Sequence, residues 1–187
     1  MATTTYNLED LKRRMHGAIS VLKQELGGLR TGRASASLVE PVQVEAYGTH
    51  MPLNQVATVS VPEARLISVQ VWDKSMVHAV EKAILGANLG LTPATEGQVL
   101  RLRIPELTQD RRKELVKVAH KSAEAAKVAV RHVRRDGLDT LKKMEKDQHL
   151  AKDEHDRMAE QVQKATDQNI GEIDQMLASK EREILTV

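Results

Sequence analysis

From Thr108 to Asp147 the chain contains no proline, and small and apolar residues recur there in steps of three and four: Leu115, Ala119, Ser122, Ala126, Ala129, Val133, Thr140 with Leu141, and Met144. A helix of ~36 residues is ~54 Å long. Its apolar stripe is buried along its whole length only by other long helices. Two such partners are present. Beyond a polar turn near Gln148–Lys152 lies a seam of Met158, Val162, Ala165, Asn169, Ile173, Met176 and Ile184. Before residue 31 lies another, of Leu8, Leu11, Met15, Ala18, Leu22, Leu26 and Leu29. Asn7 suits the N-cap of this first helix, with Glu9 and Asp10 in the first turn where the helix dipole favours anions. Three seams predict a left-handed bundle with nearly parallel axes, its alanines allowing close approach. Gly27-Gly28 loosens the last turn of helix one by about 1 kcal/mol per glycine, before Thr31-Gly32 ends it. Gly137 and Gly171 are expected points of bending.

Between the first two seams the period falls to two. Val42, Val44 and Ala46 alternate with polar residues, as do Ile67, Val69 and Val71, and Leu100, Leu102 and Ile104; Val56 to Val61 is a short β-branched run that Pro62-Glu63 breaks. Tyr47 to His50 reads as a turn, and Pro93 to Gly97 as a connection. Asp73-Lys74-Ser75 offers caps for a short helix whose inner face is Val77, Val80, Ala83 and Ile84. The fold class is therefore α+β: a long antiparallel three-helix bundle, residues 1–30 and 106–187, interrupted by a small β/α/β domain, residues 31–105. Two short connections join an insertion to its host, so Arg30, Thr31, Gly32 and Arg33 on one side and Ile104, Pro105 and Glu106 on the other are expected to act as a hinge.

Composition removes several functions. The chain has 187 residues, 41% hydrophobic and 29% charged, enough for one or two cores and too apolar for disorder. Cysteine is absent, which excludes disulfides, thiolate metal sites and a cysteine nucleophile and fits a cytoplasmic location. No apolar run approaches the ~20 residues that span a bilayer. The first residues, Met1 to Asn7, show no secretory signal. The aromatic residues are Tyr6, Tyr47 and Trp72, too few for a platform on which bases stack.

A net charge of +2 conceals its distribution. Residues 107–147 hold 12 Lys and Arg against 7 Asp and Glu, whereas residues 148–187 hold 5 against 9. If these two helices lie antiparallel they attract each other, and the bundle has one basic side. The charge is densest at Lys127 to Asp136, where Arg131, Arg134 and Arg135 stand three and four residues apart and so share one side of a helix. Arg111, Arg112, Lys113, Lys117 and Lys121 extend this strip toward the helix start. A dry face backed by a basic one suits the phosphate backbone of a folded RNA; a solvated charged face would look similar. His132, among the arginines, reads as a surface residue or an RNA contact.

Catalytic constellations are missing. Gly27 to Ala34 has the glycine spacing of a phosphate loop, but Arg33 stands for its lysine and Ala34 for its Ser/Thr, and it follows a helix. The seven histidines show no His-Glu-x-x-His or Glu-x-x-His spacing. Asp153-Glu154 and Glu181/Glu183 read as helix-terminus or solvated charges, and no serine sits in a nucleophile elbow. We expect no enzyme activity, no cofactor and no metal. A scaffold that binds proteins through its seams is the other class of reading.

Several segments resemble the ribosome recycling factor family: Leu29-Arg30-Thr31-Gly32-Arg33-Ala34-Ser35, Asp73-Lys74-Ser75-Met76, Ala79 to Ile84, Leu89-Gly90-Leu91, Pro105-Glu106-Leu107-Thr108 with Arg111-Arg112-Lys113, and Val128 to Asp136. The resemblance implies an L-shaped monomer that binds the large ribosomal subunit after termination, with bundle residues on ribosomal RNA. It implies action with elongation factor G, whose GTP hydrolysis drives subunit separation and so frees mRNA and tRNA. The implied RNA contacts are Arg131, Arg134, Arg135, Arg111, Arg112, Lys117, Lys121, Lys127 and His132, with Arg134 on the family's critical arginine. Gly27-Gly28, Gly137 and Ala151 depart from the usual pattern.

Overall fold

The computed structural model describes residues 5–148 and 150–186; Met1–Thr4, His149 and Val187 lie outside the described part, and with them part of the N-terminal reading and part of the polar turn. The chain forms two compact units. One ends at Leu29 and resumes at Asp110; the other is Arg30–Gln109.

The first unit holds the helices α1 (Leu8–Gly27), α3 (Gln109–Gln148) and α4 (Lys152–Thr186). The Asn7 side chain accepts from the Asp10 amide at 3.1 Å and so caps α1. α1 stops at Gly27, three residues earlier than its periodicity suggests, because Gly27 and Gly28 contribute no side chain to hold a further turn. α3 runs unbroken through Gly137, and α4 through Gly171. At Gly137 close packing requires the glycine: an added Cβ would lie 2.7 Å from Leu11 Cδ1 of α1.

Cross-helix contacts set the directions. On α3 and α4, Arg112 meets Ile184, His120 meets Glu181, Lys127 meets Asp174 and Arg134 meets Gln163, so these two helices are antiparallel. Tyr6 Oη donates to the Met158 carbonyl oxygen at 3.4 Å and Met15 touches Asn169, so α1 and α4 are parallel. Burial pushes the Tyr6 hydroxyl pKa up. The buried seam of α3 is Leu115, Ala119, Ala123, Ala126, Val130, Val133 and Leu141. It departs from the expected one by a single step in its middle: Ala123 and Val130 are buried, where Ser122 and Ala129 are half-buried. Those two line a shallow apolar groove beside α1 instead.

The second unit is a β/α/β arrangement richer in strands than its sequence pattern. β1 (Gln43–Ala46) pairs with β2 (Thr49–Pro52) as a hairpin. β3 (Ala57–Glu63), β4 (Leu66–Val71), β6 (Val99–Arg103) and β5 (Pro93–Glu96) form an antiparallel sheet in the order β3-β4-β6-β5. Thr49 and His50 therefore belong to a strand, and the turn shrinks to Tyr47 and Gly48, both with positive φ as a type I′ hairpin turn requires. Pro62 does not end β3; an irregular register between Ser60 and Glu63 absorbs it, at an edge where a missing N–H costs little. β5 was hidden because Pro93–Glu96 lies at the other edge and is mostly exposed, with no alternation. α2 (Val77–Gly86) packs on β1 and β5, burying Val80 and Ile84 over Val44, Ile67, Val69, Leu100 and Leu102.

Candidate nucleic-acid interface

α3 carries the expected RNA contacts, and folding sorts them into three groups. Arg112 belongs to the first. It is 6% exposed, and its Nη1 donates to the Ile184 carbonyl oxygen at 2.7 Å in the last turn of α4. The sequence expectation that Arg112 lies on the RNA face fails on geometry: it stands three residues before Leu115, in the seam, where its guanidinium holds α4's C-terminal carbonyl.

The second group flanks the seam on the side of α4. His120, Lys127 and Arg134 recur every seven residues, so they stand above one another, and each engages α4. His120 binds Glu181; Lys127 Nζ is 2.6 Å from Asp174 Oδ1; Arg134 Nη1 donates to Gln163 Oε1 at 3.3 Å. Gln163 is itself fixed by donating to Asp167 Oδ1 at 2.8 Å. Arg134 is half-buried and its Nε is buried with no hydrogen-bond partner. The sequence signal was present in the acidic excess of α4, but Gln163 is neutral and escaped a reading of charge.

The third group is exposed. Lys117, Lys121, Arg131 and Arg135 lie on one stripe in steps of three and four, opposite the buried seam, with Val128 among them at 43% exposure. Arg131 Nη1 reaches back two turns to Glu124 Oε1 at 2.9 Å, and Arg111 Nη1 pairs with Glu114 Oε2 at 2.8 Å. Both pairs are surface pairs of the kind that contribute at most about 1 kcal/mol, so a phosphate exchanges for the carboxylate at little cost. His132 is exposed beside the stripe. On the adjoining face, Arg14 Nη2 of α1 sits 2.5 Å from Asp136 Oδ2, which ties up the acid that ends the arginine run. Two residues that the sequence did not single out, Lys142 and His155, join Arg134 and Arg135 around an open groove of about 340 Å³.

The residues expected at the hinge fall in the second unit. Thr31 is buried, and Gly32 has φ +78° with the Leu107 side chain 3.1 Å from where its Cβ would be. Arg30 Nη1 donates to the Leu89 carbonyl oxygen at 3.0 Å, the Ile104 amide donates to the Arg65 carbonyl oxygen at 2.9 Å, and Glu106 lies 3.7 Å from Arg65. Arg33 and Pro105 are exposed. Among the described residues no cluster of His, Asp and Glu assembles a metal site, and no helix is long and apolar enough to cross a membrane.

These features define an α+β protein in which a long three-helix bundle, basic along one helix, is interrupted by a small sheet-and-helix unit. Comparison with known proteins narrows that class. The sequence model of the family described as ribosome recycling factor matches residues 22–185. Ribosome-recycling factors of Bradyrhizobium sp. (strain ORS 278) and Rhodopseudomonas palustris (strain HaA2) are 74% and 73% identical to this chain, over the whole length of both partners. A solution structure of the ribosome recycling factor superposes with a TM-score of 0.73 at 43% identity, covering 96% of this chain and 98% of that one. The T. thermophilus ribosome recycling factor, described with the E. coli elongation factor G bound to the E. coli post-termination complex, superposes with a TM-score of 0.61 at 45% identity, covering 96% and 99%. This chain belongs to the ribosome recycling factor family.

Proposed function

We propose that the chain binds the post-termination ribosome through the exposed basic stripe of α3 on large-subunit ribosomal RNA. With elongation factor G and GTP it then separates the subunits, so that mRNA and tRNA are released. The carrying observation is the stripe of Lys117, Lys121, Arg131 and Arg135, opposite the buried seam, in a chain of this family. The T. thermophilus relative described with elongation factor G on a post-termination complex supports the choice of partners. Guanidinium groups suit the task because they bind phosphate oxygens in pairs and stay charged at any physiological pH. The chain itself supplies no chemistry under this reading. It is a wedge and lever in the cytoplasm, with the GTPase as its source of energy. The residues Arg30 to Arg33 and Ile104 to Glu106 act as the base of the lever, and motion is taken up where they meet the helices.

The experiment is a subunit-splitting assay with elongation factor G and GTP, paired with co-sedimentation on large subunits. Arg134→Gln and Arg131→Gln are expected to fold as the parent does, to bind large subunits more weakly and to split ribosomes more slowly. Parental binding and splitting in both variants would remove the arginines from the interface. Binding should also fall steeply with salt, because each phosphate contact releases condensed counterions.

A further inference from the structure

The groove near the C-terminal end of α3 has a composition unlike the rest of the basic strip. Its lining is Arg134, Arg135, Leu138, Asp139 and Lys142 from α3 and His155 from the first turn of α4. Three permanent cations thus face one carboxylate. Elsewhere on the helix Arg131 and Lys127 have carboxylate partners, Glu124 and Asp174, whereas Arg135 and Lys142 make no ion pair with any described residue. Hydrogen-bond capacity is also left over. Three buried side-chain polar atoms lack a partner among the described residues, and two of them, Arg134 Nε and His155 Nε2, belong to this lining. Such groups are rare in folded proteins; Arg134 Nε has no hydrogen-bond partner among the described residues, and His155 Nε2 has only the Glu145 carboxylate, beyond hydrogen-bond range. Opposing charge comes from Asp139 in the wall, from Glu145 Oε2 at 3.7 Å from His155 Nε2, and from Asp156 Oδ1 at 3.3 Å from His155 Nδ1. These two carboxylates stand at the two nitrogens of the imidazole, while Arg135 and Lys142 keep no ion pair with any described residue.

We propose that this groove seats one phosphate group of the RNA backbone, with Lys142 and His155 acting beside Arg134 and Arg135. It rests on the reading of α3 as an RNA-binding helix and adds a concave anchor to the open stripe. The stripe takes phosphates along a surface, whereas the groove, about 340 Å³ and walled by two helices, fixes where along the helix one phosphate must sit. It sets register as well as affinity.

The test uses the full chain and purified large ribosomal subunits. Lys142→Gln is compared with Lys143→Gln, an exposed lysine about 100° further round the helix that does not line the groove. Lys142→Gln is expected to weaken binding several-fold and to reduce the slope of log affinity against log salt by about 1, as removal of one phosphate contact does. Lys143→Gln is expected to have a smaller effect on both. Equal effects from the two lysines, or none from Lys142→Gln, would overturn the groove. If Arg134→Gln and Arg135→Gln also leave the slope untouched, the RNA reading itself has failed; if they lower it and Lys142→Gln does not, only the groove has. A free phosphate ion shares the chemistry, so the protein alone is titrated with inorganic phosphate while its His155 ring is followed by NMR. Saturation at submillimolar phosphate would assign the groove to a free anion and overturn the backbone assignment; no saturation in that range is the expected result.

Discussion

Arg112 and Arg111 are adjacent in sequence and opposite in role. The first closes the bundle's end through the Ile184 carbonyl, and the second is exposed beside Glu114. Removing a buried guanidinium that bonds a carbonyl costs about 2 kcal/mol. Arg112→Ala is therefore expected to lower the urea midpoint by that measure, while the folded fraction binds large subunits with the parental salt slope. A changed slope would return Arg112 to the interface. At the other unit's surface, Tyr47 Oη donates to Asp73 Oδ2 at 2.7 Å, and Asp73 also accepts from the Ser75 amide and hydroxyl. The Tyr47 hydroxyl and the Ser75 donors hold the Asp73 carboxyl below the usual carboxylate range, and the same bond to Asp73 raises Tyr47. For Asp73 the folded pKa is depressed, so its contribution is present above the unfolded value and lost as pH falls through the folded one. For Tyr47 the folded pKa is raised, so its contribution is present below the unfolded value and lost as pH rises through the folded one. Tyr47→Phe is expected to move the Asp73 titration up toward the ordinary carboxylate value, read from its carboxyl carbon by NMR. An unmoved titration would mean that the Ser75 donors alone set it.

At the scale of the element, glycine in a helix has two meanings here. Gly171 of α4 has nothing within 4 Å of an added Cβ, so Gly171→Ala is expected to stabilise by about 1 kcal/mol through backbone entropy alone. Gly137 of α3 faces Leu11, which is 7% exposed and must give up its place to an added methyl. Gly137→Ala is expected to fall short of the Gly171→Ala gain in paired thermal melts, and equal gains would show that α1 and α3 are not closely packed there. The same scale explains the seam. Asn169 sits inside it with Nδ2 donating to the Ala165 carbonyl oxygen at 2.7 Å and Oδ1 without a partner. Its strong hydrogen bond stays within α4, so the unpaired Oδ1 is a cost in stability inside an apolar seam.

For the whole molecule, the first link between the units follows a helix that ends in two glycines. Gly27 has open space around its Cβ position, and Gly28 has φ −75° with only ordinary contacts at 3.5 Å. The double change Gly27→Ala, Gly28→Ala is therefore expected to extend and stiffen α1 without strain. Under the lever reading it slows subunit splitting and leaves binding to large subunits intact; a splitting rate equal to the parent's would place the motion elsewhere. Gly32 is unsuited to that experiment. Its φ of +78° lies outside the range proline adopts and strains any other residue, so a substitution there changes local structure and stiffness together.

Periodicity settled the existence of three long helices and the inserted strand-rich unit, because burying an apolar stripe on so long a helix leaves few architectures, whereas the cap of α1 was legible in the residue type of Asn7 and the family in specific segments such as Val128 to Asp136. Tertiary structure decided what each charged residue is for. Charges at the surface look alike in a sequence, and only the angular position on α3 separates Arg112 in the seam, Lys127 and Arg134 against α4, and Arg135 in the open. Lys142 and His155 become neighbours only when α3 and α4 fold back on each other. The edge strands β2 and β5 likewise owe their form to a paired neighbour more than to their own residues.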